Sequence, residues 1–410
     1  MAVLRSRGAL VAAFLAVHLW IGLLGTVIIP TRAFWDVDLY RWWMWQGLHQ
    51  GTWPVFSGDW VYPAGAILPM LLPGLVDTWD TRTYAVAWTV LITLLNAVAA
   101  WTLLRATGRR AMLGIWWWLG FILLLGPVAV GRLDAVVAPV VVTALALALR
   151  RPAVASALLT AGAWIKVAPG ALLLPLVMIV RRPWRQLVLP AAAVCVVVAG
   201  IVAAGGGLPH LFSFLGEQGD RGLQLESVSA TAWVLRGLVD GGVRIWMNDA
   251  IITWEIVGPG TPAMAAVLGV LLPLALAAAA GLLLWVRVRA GDRLDHAAFL
   301  ARGALLIALV LIVANKVGSP QFIGWLAGPV VVGLARPGRE TARAWRTVAV
   351  LVLVIAALTQ WVFPIAYDAI TAGLVGPSLL LVSRNVLLVV TLVVVVRDLC
   401  RMATGRSADQ

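Results

Sequence analysis

The sequence predicts an all-α polytopic membrane protein. Of its 410 residues, 62% are hydrophobic and only 12% are charged, and its mean hydropathy is +0.96, so it is far more apolar than an average soluble domain. The apolar residues are gathered into long runs, and most charged residues fall in the short segments between those runs. Helices are the expected structure, because a helix satisfies its own backbone hydrogen bonds inside a bilayer.

Eight apolar runs approach or exceed the roughly 17–25 residues of a spanning helix. The first run follows Arg5 and Arg7, as the apolar part of a signal peptide would, but it is long enough to span and lacks a clean small-residue cleavage site. We therefore assign it as the first transmembrane helix. The runs are 8–30, 84–104, 112–130, 135–149, 187–206, 261–286, 344–364 and 376–396.

Two further apolar stretches, 153–180 and 297–335, are interrupted near Lys166 and Lys316 and are flanked by arginines at both ends. Because basic flanks mark the cytoplasm, each stretch is predicted to be a hairpin of two helices whose tip points outward. Helices of about 13 residues in the first hairpin would reach only about 20 Å, so its tip should be sunk within the outer half of the membrane. The prediction is one domain, 1–410, with about twelve transmembrane or hairpin helices.

This arrangement places most basic residues inside and most acidic residues outside. The two termini and the loops at Arg109, Arg182, Arg293 and Arg339 are then cytoplasmic. The two larger polar segments, 31–83 and 207–260, become outer loops. We expect a multi-pass protein of the plasma membrane with its chemistry on the extracytoplasmic side.

The net charge of +13 would suggest a polyanionic partner in a soluble protein. Here most arginines lie in short loops between apolar runs, where they act as topology signals. We therefore expect membrane lipids as partners and no nucleic acid. Cys195 and Cys400 fall on different sides of the membrane in this topology, so they form neither a disulfide nor a metal site.

The first outer loop offers a candidate catalytic carboxylate. If 35–50 is a helix, Asp36 and Tyr40 share one face, and Asp38 points about 200° away. Only one of the two carboxylates would then line a site. The alternative is an interfacial helix with tryptophans at headgroup depth and solvated acids.

Other charged candidates lie near the outer ends of later segments. Arg132 and Asp134 either belong to the site or form a local ion pair that caps the fourth helix. Arg221 and Glu226 belong to a polar run, 220–227, that on its own is typical of a surface loop.

Lys166 and Lys316 are the only lysines of the chain, and both lie at predicted hairpin tips. A lysine at membrane depth costs about 2.5–3.5 kcal/mol, so it normally faces a cavity, an acid or a ligand. Snorkelling to the interface is the alternative. Arg384, within the last apolar run, should face the bundle interior for the same reason.

Together these side chains suit transfer from a lipid phosphate. A carboxylate can deprotonate an acceptor hydroxyl, which is typically worth about 10²–10⁴ in rate. Lysine and arginine can neutralise the charge that develops on a departing phosphate. The sequence contains no P-loop, dinucleotide-binding glycine motif or Ser/His/Asp triad. No metal-ligand cluster is evident, and no cofactor is required by this chemistry, although help from a divalent metal stays open.

Short motifs follow one another along almost the whole chain. They are Asp36 followed by Tyr40, the turn from Gly51 to Pro54, Trp60-x-Tyr62-Pro63, Gly131-Arg132-Leu133-Asp134, Lys166-x-x-Pro169, Arg221-Gly-Leu-Gln-x-Glu226-Ser227 and Lys316-x-x-Ser319-Pro320-Gln321. In this order they resemble the actinobacterial family 87 glycosyltransferases, whose best-known members are polyprenyl-phosphate-mannose-dependent α-mannosyltransferases of phosphatidylinositol mannoside synthesis. The family's usual Tyr-Pro-Pro is here Tyr62-Pro63-Ala64, a small departure that leaves the assignment standing.

The resemblance implies a GT-C fold, a polyprenyl-phosphate sugar donor, with mannose as the expected sugar, and a base at Asp36, which matches the family's Asp-x-x-x-Tyr pattern. It leaves the acceptor open between a lipid and a glycan. The expected reaction is inverting transfer, with Tyr40 beside the base. The residues expected to bind the donor phosphate are Lys166, Lys316, Arg384, Arg132 and Gln321. Further site candidates are Asp38, Asp134, Arg221, Glu226 and Tyr62.

A transporter or lipid flippase is the alternative function, because broken helices and charges at membrane depth also mark alternating-access carriers. The sequence shows no internal repeat, and the predicted charges lie near one face of the membrane. A cavity open on one side would favour transfer, whereas a central site reachable from both sides would favour transport.

Overall fold

The computed structural model describes residues 6–219, 221–249, 252–336 and 342–404. Helices make up most of these residues, which confirms the predicted all-α class. The helices of the first half are α1 (Arg7–Leu23), α2 (Pro30–Ala33), α3 (Trp35–Gln50), α4 (Ile67–Gly74), α5 (Thr81–Thr107), α6 (Ala111–Leu125), α7 (Asp134–Leu147), α8 (Pro152–Ile165), α9 (Ala168–Ala171), α10 (Leu173–Val177) and α11 (Leu189–Ala204). Those of the second half are α12 (Ser213–Gly219), α13 (Thr231–Gly237), α14 (Thr261–Ala290), α15 (His296–Val313), α16 (Ala327–Ala335), α17 (Ala342–Gln360), α18 (Tyr367–Thr371) and α19 (Val375–Thr404).

Seven helical segments of the described residues are long and apolar enough to cross a membrane. They are Arg7–Ile28, Thr81–Ala129, Trp184–Ala204, Thr261–Arg293, His296–Val313, Trp345–Ile365 and Val375–Thr404. The second has 49 residues and would be roughly 74 Å long as one straight helix, about two and a half times the thickness of a bilayer core. It turns back instead at Gly108, whose φ of 65° suits a residue without a side chain. This turn separates α5 from α6, as predicted for 84–104 and 112–130.

Burial differs strongly between helices. α15 lies at the centre of the bundle, with most of its side chains buried. α11 and α14 lie at the periphery and expose apolar side chains, among them Val196 at 70% and Val270 at 62%. Exposed apolar faces of this extent are the surfaces that lipid tails cover. The chain is therefore a membrane protein.

The two predicted interruptions of the apolar stretches, near Lys166 and Lys316, are both present in the structure. α8 ends at Lys166, which has extended backbone angles, and the short α9 and α10 follow. α15 ends at Val313, and a 3₁₀ helix at Pro320–Leu326 precedes α16. Several of these helices are shorter than a bilayer requires, so the total of about twelve transmembrane or hairpin helices stays a prediction.

The two large polar segments meet at one end of the bundle. His210 Nδ1 lies 2.6 Å from Asp59 Oδ1, and the Trp60 N–H donates to Ser213 Oγ at 2.9 Å. The second segment also contains an antiparallel hairpin, β1 (Arg244–Asn248) and β2 (Thr253–Val257). The sequence analysis missed these strands and treated the whole of 207–260 as a loop.

The other end of the bundle gathers the arginines that follow α5, α7 and α16. Arg336 donates hydrogen bonds to the carbonyls of Ala106 and Ala146, both at 3.3 Å. Arg339 and the terminal residues 1–5 and 405–410, which were predicted to share the cytoplasmic side, lie outside the described residues.

Candidate active site

α3 carries the first carboxylate of the site. The predicted helix over 35–50 is confirmed, and Asp36 lies in its first turn. Asp36 forms an ion pair with Arg132, which belongs to the turn between α6 and α7. The Asp36 side chain is 27% exposed and that of Arg132 is 8% exposed, so the carboxylate is the accessible partner of the pair.

Tyr40 fixes α3 to the same turn. It lies one helical turn after Asp36 and is buried, and its hydroxyl accepts a hydrogen bond from the Leu133 N–H at 3.1 Å. The rings of Tyr40 and Tyr62 meet edge-on, with their centroids 6.4 Å apart. Burial raises the pKa of both phenols, so both stay protonated at neutral pH and can donate hydrogen bonds.

Asp134, the second carboxylate, begins α7 and is only 3% exposed. Its Oδ2 lies 3.1 Å from Lys166 Nζ, and its Oδ1 accepts a hydrogen bond from Trp325 Nε1 at 2.6 Å. The alternative of a local ion pair between Arg132 and Asp134 is therefore wrong. Each residue pairs instead with a partner from another helix, because the backbone turn points their side chains to different neighbours.

Lys166 lies in an aromatic setting at the end of α8. Its Nζ is 5.3 Å from the ring centroid of Tyr62 and 5.6 Å from that of Phe322, within the range of cation–π attraction. The side chain is 16% exposed. Lys166 thus faces Asp134 and the rings of Tyr62 and Phe322 inside the protein. These contacts do not fit the alternative in which the lysine extends to the membrane interface.

Glu226, the third carboxylate, is held by α19. Arg384 donates to Glu226 Oε2 at 2.6 Å and to the Glu226 carbonyl at 2.7 Å. Asn385 donates to the Ser227 carbonyl at 3.2 Å and to Thr231 Oγ1 at 2.9 Å. Arg384 is only 2% exposed, so it faces the interior, as predicted from its position in an apolar run.

Aromatic side chains join the Arg132 pair to the Glu226 pair. The Arg132 guanidinium lies 5.2 Å from the Phe363 ring, and that ring meets Tyr367 edge-on at 5.2 Å. Tyr367 and Arg132 both lie close enough to the Glu226 carboxylate to act on its charge. The charged pairs of Asp36 and Glu226 therefore belong to one continuous cluster.

Lys316 lies beside the loop that carries Glu226. Its Nζ donates to the Gly219 carbonyl at 2.6 Å, and its own carbonyl accepts from the Gln224 N–H at 3.0 Å. A side chain at Gly318 would collide with the backbone of Glu226, so the 316–318 turn lies directly on this loop. Lys166, Lys316 and Arg384 were predicted to surround one phosphate, but in the described contacts each has a different partner.

The remaining candidates lie around this cluster. Asp38 is 48% exposed and binds Arg41 and Thr81, on the far side of α3 as predicted. Arg221 is half-buried, next to Gly222, whose N–H donates to Glu255 Oε1 at 2.8 Å. Gln321 is half-buried in the 3₁₀ helix beside Phe322.

Sequence reasoning missed two side chains that shape the cluster, Trp325 and Tyr367, and it gave Trp60 only as part of a motif. A signal for Tyr367 was present, because the chain has only four tyrosines and two of them were already candidates. Trp60 Nε1, Arg132 Nε and Gln224 Nε2 are buried and lack a hydrogen-bond partner among the described residues. Buried donors without partners favour a ligand in their neighbourhood. Within the described ranges, no three His, Cys, Asp or Glu residues lie close enough together to hold a metal ion.

The fold and the cluster define a polytopic membrane protein with a buried polar site at one end of its helices. The model of Glycosyltransferase family 87 matches residues 60–314, more than half of the chain, and the chain belongs to this family. The match includes Tyr62, Arg132, Asp134, Lys166, Arg221 and Glu226. No curated protein and no solved structure matches the chain. The family makes the protein a glycosyltransferase and does not favour the transporter or flippase alternative.

Proposed function

We propose that this glycosyltransferase moves a sugar, mannose in the simplest case, from a polyprenyl-phosphate donor to a lipid or glycan acceptor at the outer face of the plasma membrane. One observation carries the proposal. Asp36, Asp134 and Glu226 each pair with a cation beside the membrane-spanning helices, and such a cluster offers both a base and phosphate ligands.

The outer position of the site is supported by the charge distribution. The site lies at the end formed by the two large polar segments, whereas arginines gather at the other end, around Arg336. Cytoplasmic ends of transmembrane helices are enriched in arginine and lysine. We therefore assign the arginine-rich end to the cytoplasm and the site to the outer face.

Asp36 is the carboxylate best suited to act as the base. Asp134 uses both oxygens in contacts and is 3% exposed. The Glu226 side chain is 4% exposed and is bound by Arg384. Asp36, at 27% exposure, can still be reached by an acceptor hydroxyl. Tyr40 and Arg132 hold its side of the cluster in place.

Arg132 and Lys166 are the proposed ligands of the donor phosphate. Both side chains are mostly buried and lie on the cluster's inner side. Charge-assisted hydrogen bonds from them to a phosphate would be stronger there than in water. Arg384 is already satisfied by Glu226 and Asn385, so its contribution is to hold the 226 loop. Lys316 and Gln321 would act from the edge of the site.

A small apolar crevice adjoins the site. It begins beside the Asp134–Lys166 pair, where Trp325 both lines it and hydrogen-bonds Asp134, and Pro169 and Leu311 are among its other walls. Its volume of about 10 Å³ is that of a single water molecule, so a polyprenyl chain would have to widen it in order to enter beside Lys166.

A single displacement would transfer the sugar. The acceptor oxygen attacks the anomeric carbon while Asp36 takes its proton, and the bond from that carbon to the phosphate oxygen breaks. The phosphate leaves with the electron pair, stabilised by Arg132 and Lys166. A β-linked donor then gives an α-linked product, and no covalent intermediate is needed.

The proposal is tested with membranes that contain the protein, radiolabelled polyprenyl-phosphate-mannose and a lipid extract. We expect a labelled lipid or glycan whose formation requires the protein and whose new linkage is α. A labelled product formed only from nucleotide-activated mannose, or a product with retained configuration, would contradict the proposal.

A further inference from the structure

A second polar cavity lies at the end of the bundle opposite the candidate active site. It is an open cleft of about 580 Å³ between the ends of α5, α7, α15 and α16, a volume that small ligands commonly occupy. Its charged lining residues are Arg105, Arg110, Arg150, Arg336 and Asp295. None of the residues that contact the candidate active site contributes to it.

The arginines of this cleft have no acidic partner within the described ranges of the chain. None of the ion pairs between described residues involves Arg105, Arg110, Arg150 or Arg336. Asp295 accepts hydrogen bonds from the N–H groups of Ala297 and Ala298, the second and third residues of α15, so its carboxylate serves as a helix cap. Four arginines against this one aspartate leave the described lining of the cleft with a net positive charge.

Arg336 lies at the base of the cleft. It is half-buried, its Nη2 donates to the carbonyls of Ala106 and Ala146, and Arg150 lines the same cleft. Two arginines that line one cleft favour an anion between them. A phosphate suits the position, because guanidinium groups bind phosphate oxygens through paired, charge-assisted hydrogen bonds.

We propose that this cleft binds a phosphate group, and that its source is the headgroup of an anionic phospholipid. Apolar surface adjoins the arginines on the lipid side: Trp101 is 58% exposed with Arg105 stacked 5.3 Å from its ring, and Leu149 is 38% exposed. Acyl chains can lie on this surface while the headgroup enters the cleft. Basic pockets between helix ends bind anionic headgroups in this way. The inference does not depend on the function proposed above.

The test follows the thermal stability of the full-length protein in a neutral detergent. Short-chain phosphatidylglycerol, phosphatidylcholine with the same chains, and inorganic pyrophosphate are titrated separately. We expect phosphatidylglycerol to raise Tm in a saturable manner and phosphatidylcholine to leave it unchanged.

Arg110→Gln combined with Arg150→Gln should raise the half-saturating concentration of phosphatidylglycerol about tenfold or more. Both side chains are exposed and make no hydrogen bond to described residues, so the fold should persist, and either single variant serves if the double variant does not.

The matched control is Arg182→Gln combined with Arg185→Gln, which removes two exposed arginines outside the cleft. It should leave the half-saturating concentration within about twofold. A shift with pyrophosphate that the cleft variant weakens also supports the site and identifies a soluble phosphate as the ligand. Equal effects of the two lipids, equal weakening by the two double variants, or no shift with any probe would each overturn the proposal.

Discussion

Asp36 and Asp38 stand two residues apart in one helix, yet they have different surroundings. Asp36 meets Arg132 at the edge of the charged cluster, whereas Asp38 forms a surface pair with Arg41 and accepts from Thr81. The difference arises from helix geometry, because residues two apart point to nearly opposite faces. The two carboxylates therefore provide a matched pair for mutation.

Asp36→Asn keeps nearly the same shape but removes the basicity of the side chain. Turnover of the labelled donor should fall by about 10² or more, with the protein still folded by size-exclusion chromatography in detergent. Asp38→Asn should stay within a few-fold of wild type. Loss of turnover in Asp38→Asn alone would move the base to Asp38, and full activity of both variants would leave Asp134 and Glu226 as the carboxylates to test.

Lys166→Met should destabilise the protein as well as inactivate it. It leaves Asp134, at 3% exposure, without its cation, and removing one partner of a buried pair typically costs about 3–5 kcal/mol. Lys166→Met combined with Asp134→Asn should recover most of the lost Tm and none of the turnover. Recovery of turnover in the double variant would show that the lysine only balances the aspartate and does not bind the donor.

The sequence patterns predicted individual helices better than they predicted the contacts between helices. The helical repeat fixes which side chains of α3 share a face, so the separate surroundings of Asp36 and Asp38 could be predicted. The partner of Arg132 could not be predicted from the sequence, because Asp134 is nearer to it along the chain. Asp36 reaches Arg132 only because α3 packs on the turn between α6 and α7. Glu226 likewise pairs across 158 residues with Arg384, a separation over which local spacing carries no information.

The β1–β2 hairpin shows a second limit at the scale of elements. Its strands, Arg-Ile-Trp-Met-Asn and Thr-Trp-Glu-Ile-Val, are rich in β-branched and aromatic residues, a composition that favours strands, although neither strand alternates strictly between apolar and polar residues. The surrounding composition, rich in glycine and tryptophan, concealed it in a segment assigned as a loop. The hairpin matters to the site, because β2 pairs with the segment that leads to Glu226. The Leu225 N–H donates to the Trp254 carbonyl at 3.0 Å, and the Ile256 N–H donates to the Leu223 carbonyl at 2.9 Å.

The contact between the 316–318 turn and the 224–227 loop can be tested with glycine variants. Gly318→Ala would place a methyl group against the backbone of Glu226 and Ser227, so one of the two segments must move. We expect a lower Tm and a turnover reduced by roughly tenfold, because ~1–3 kcal/mol of strain or displacement is typical of overpacking. Gly216→Ala, an exposed position of α12 where a methyl group meets no atom within 4 Å, is the control and should behave like wild type. Similar losses in both variants would mean that this end of the molecule is sensitive to any added bulk.

Taken as a whole, the molecule has two chemically different ends, and their orientation can be measured. In a chain with Cys195→Ser and Cys400→Ser, cysteines introduced at Asp59 and Asp249 should react with a membrane-impermeant maleimide added to intact cells. A cysteine at Arg109 should react only after the membrane is permeabilised. Labelling of the Asp59 position from the cytoplasm alone would place the charged cluster inside and remove the basis for an outer-face reaction.

The pairing of Glu226 with Arg384 also has a consequence for biogenesis. Glu226 is 5% exposed, and its counter-ion arrives only with α19, Val375–Thr404. During synthesis from the N-terminus, the Glu226 carboxylate is present in the partly assembled bundle before Arg384 has been made. A buried carboxylate without a counter-ion is unfavourable. We expect chains truncated before Val375 to be degraded quickly in pulse-chase labelling, and chains that also carry Glu226→Gln to survive longer. Equal half-lives would show that the membrane's quality control responds to the missing helix and not to the orphan charge.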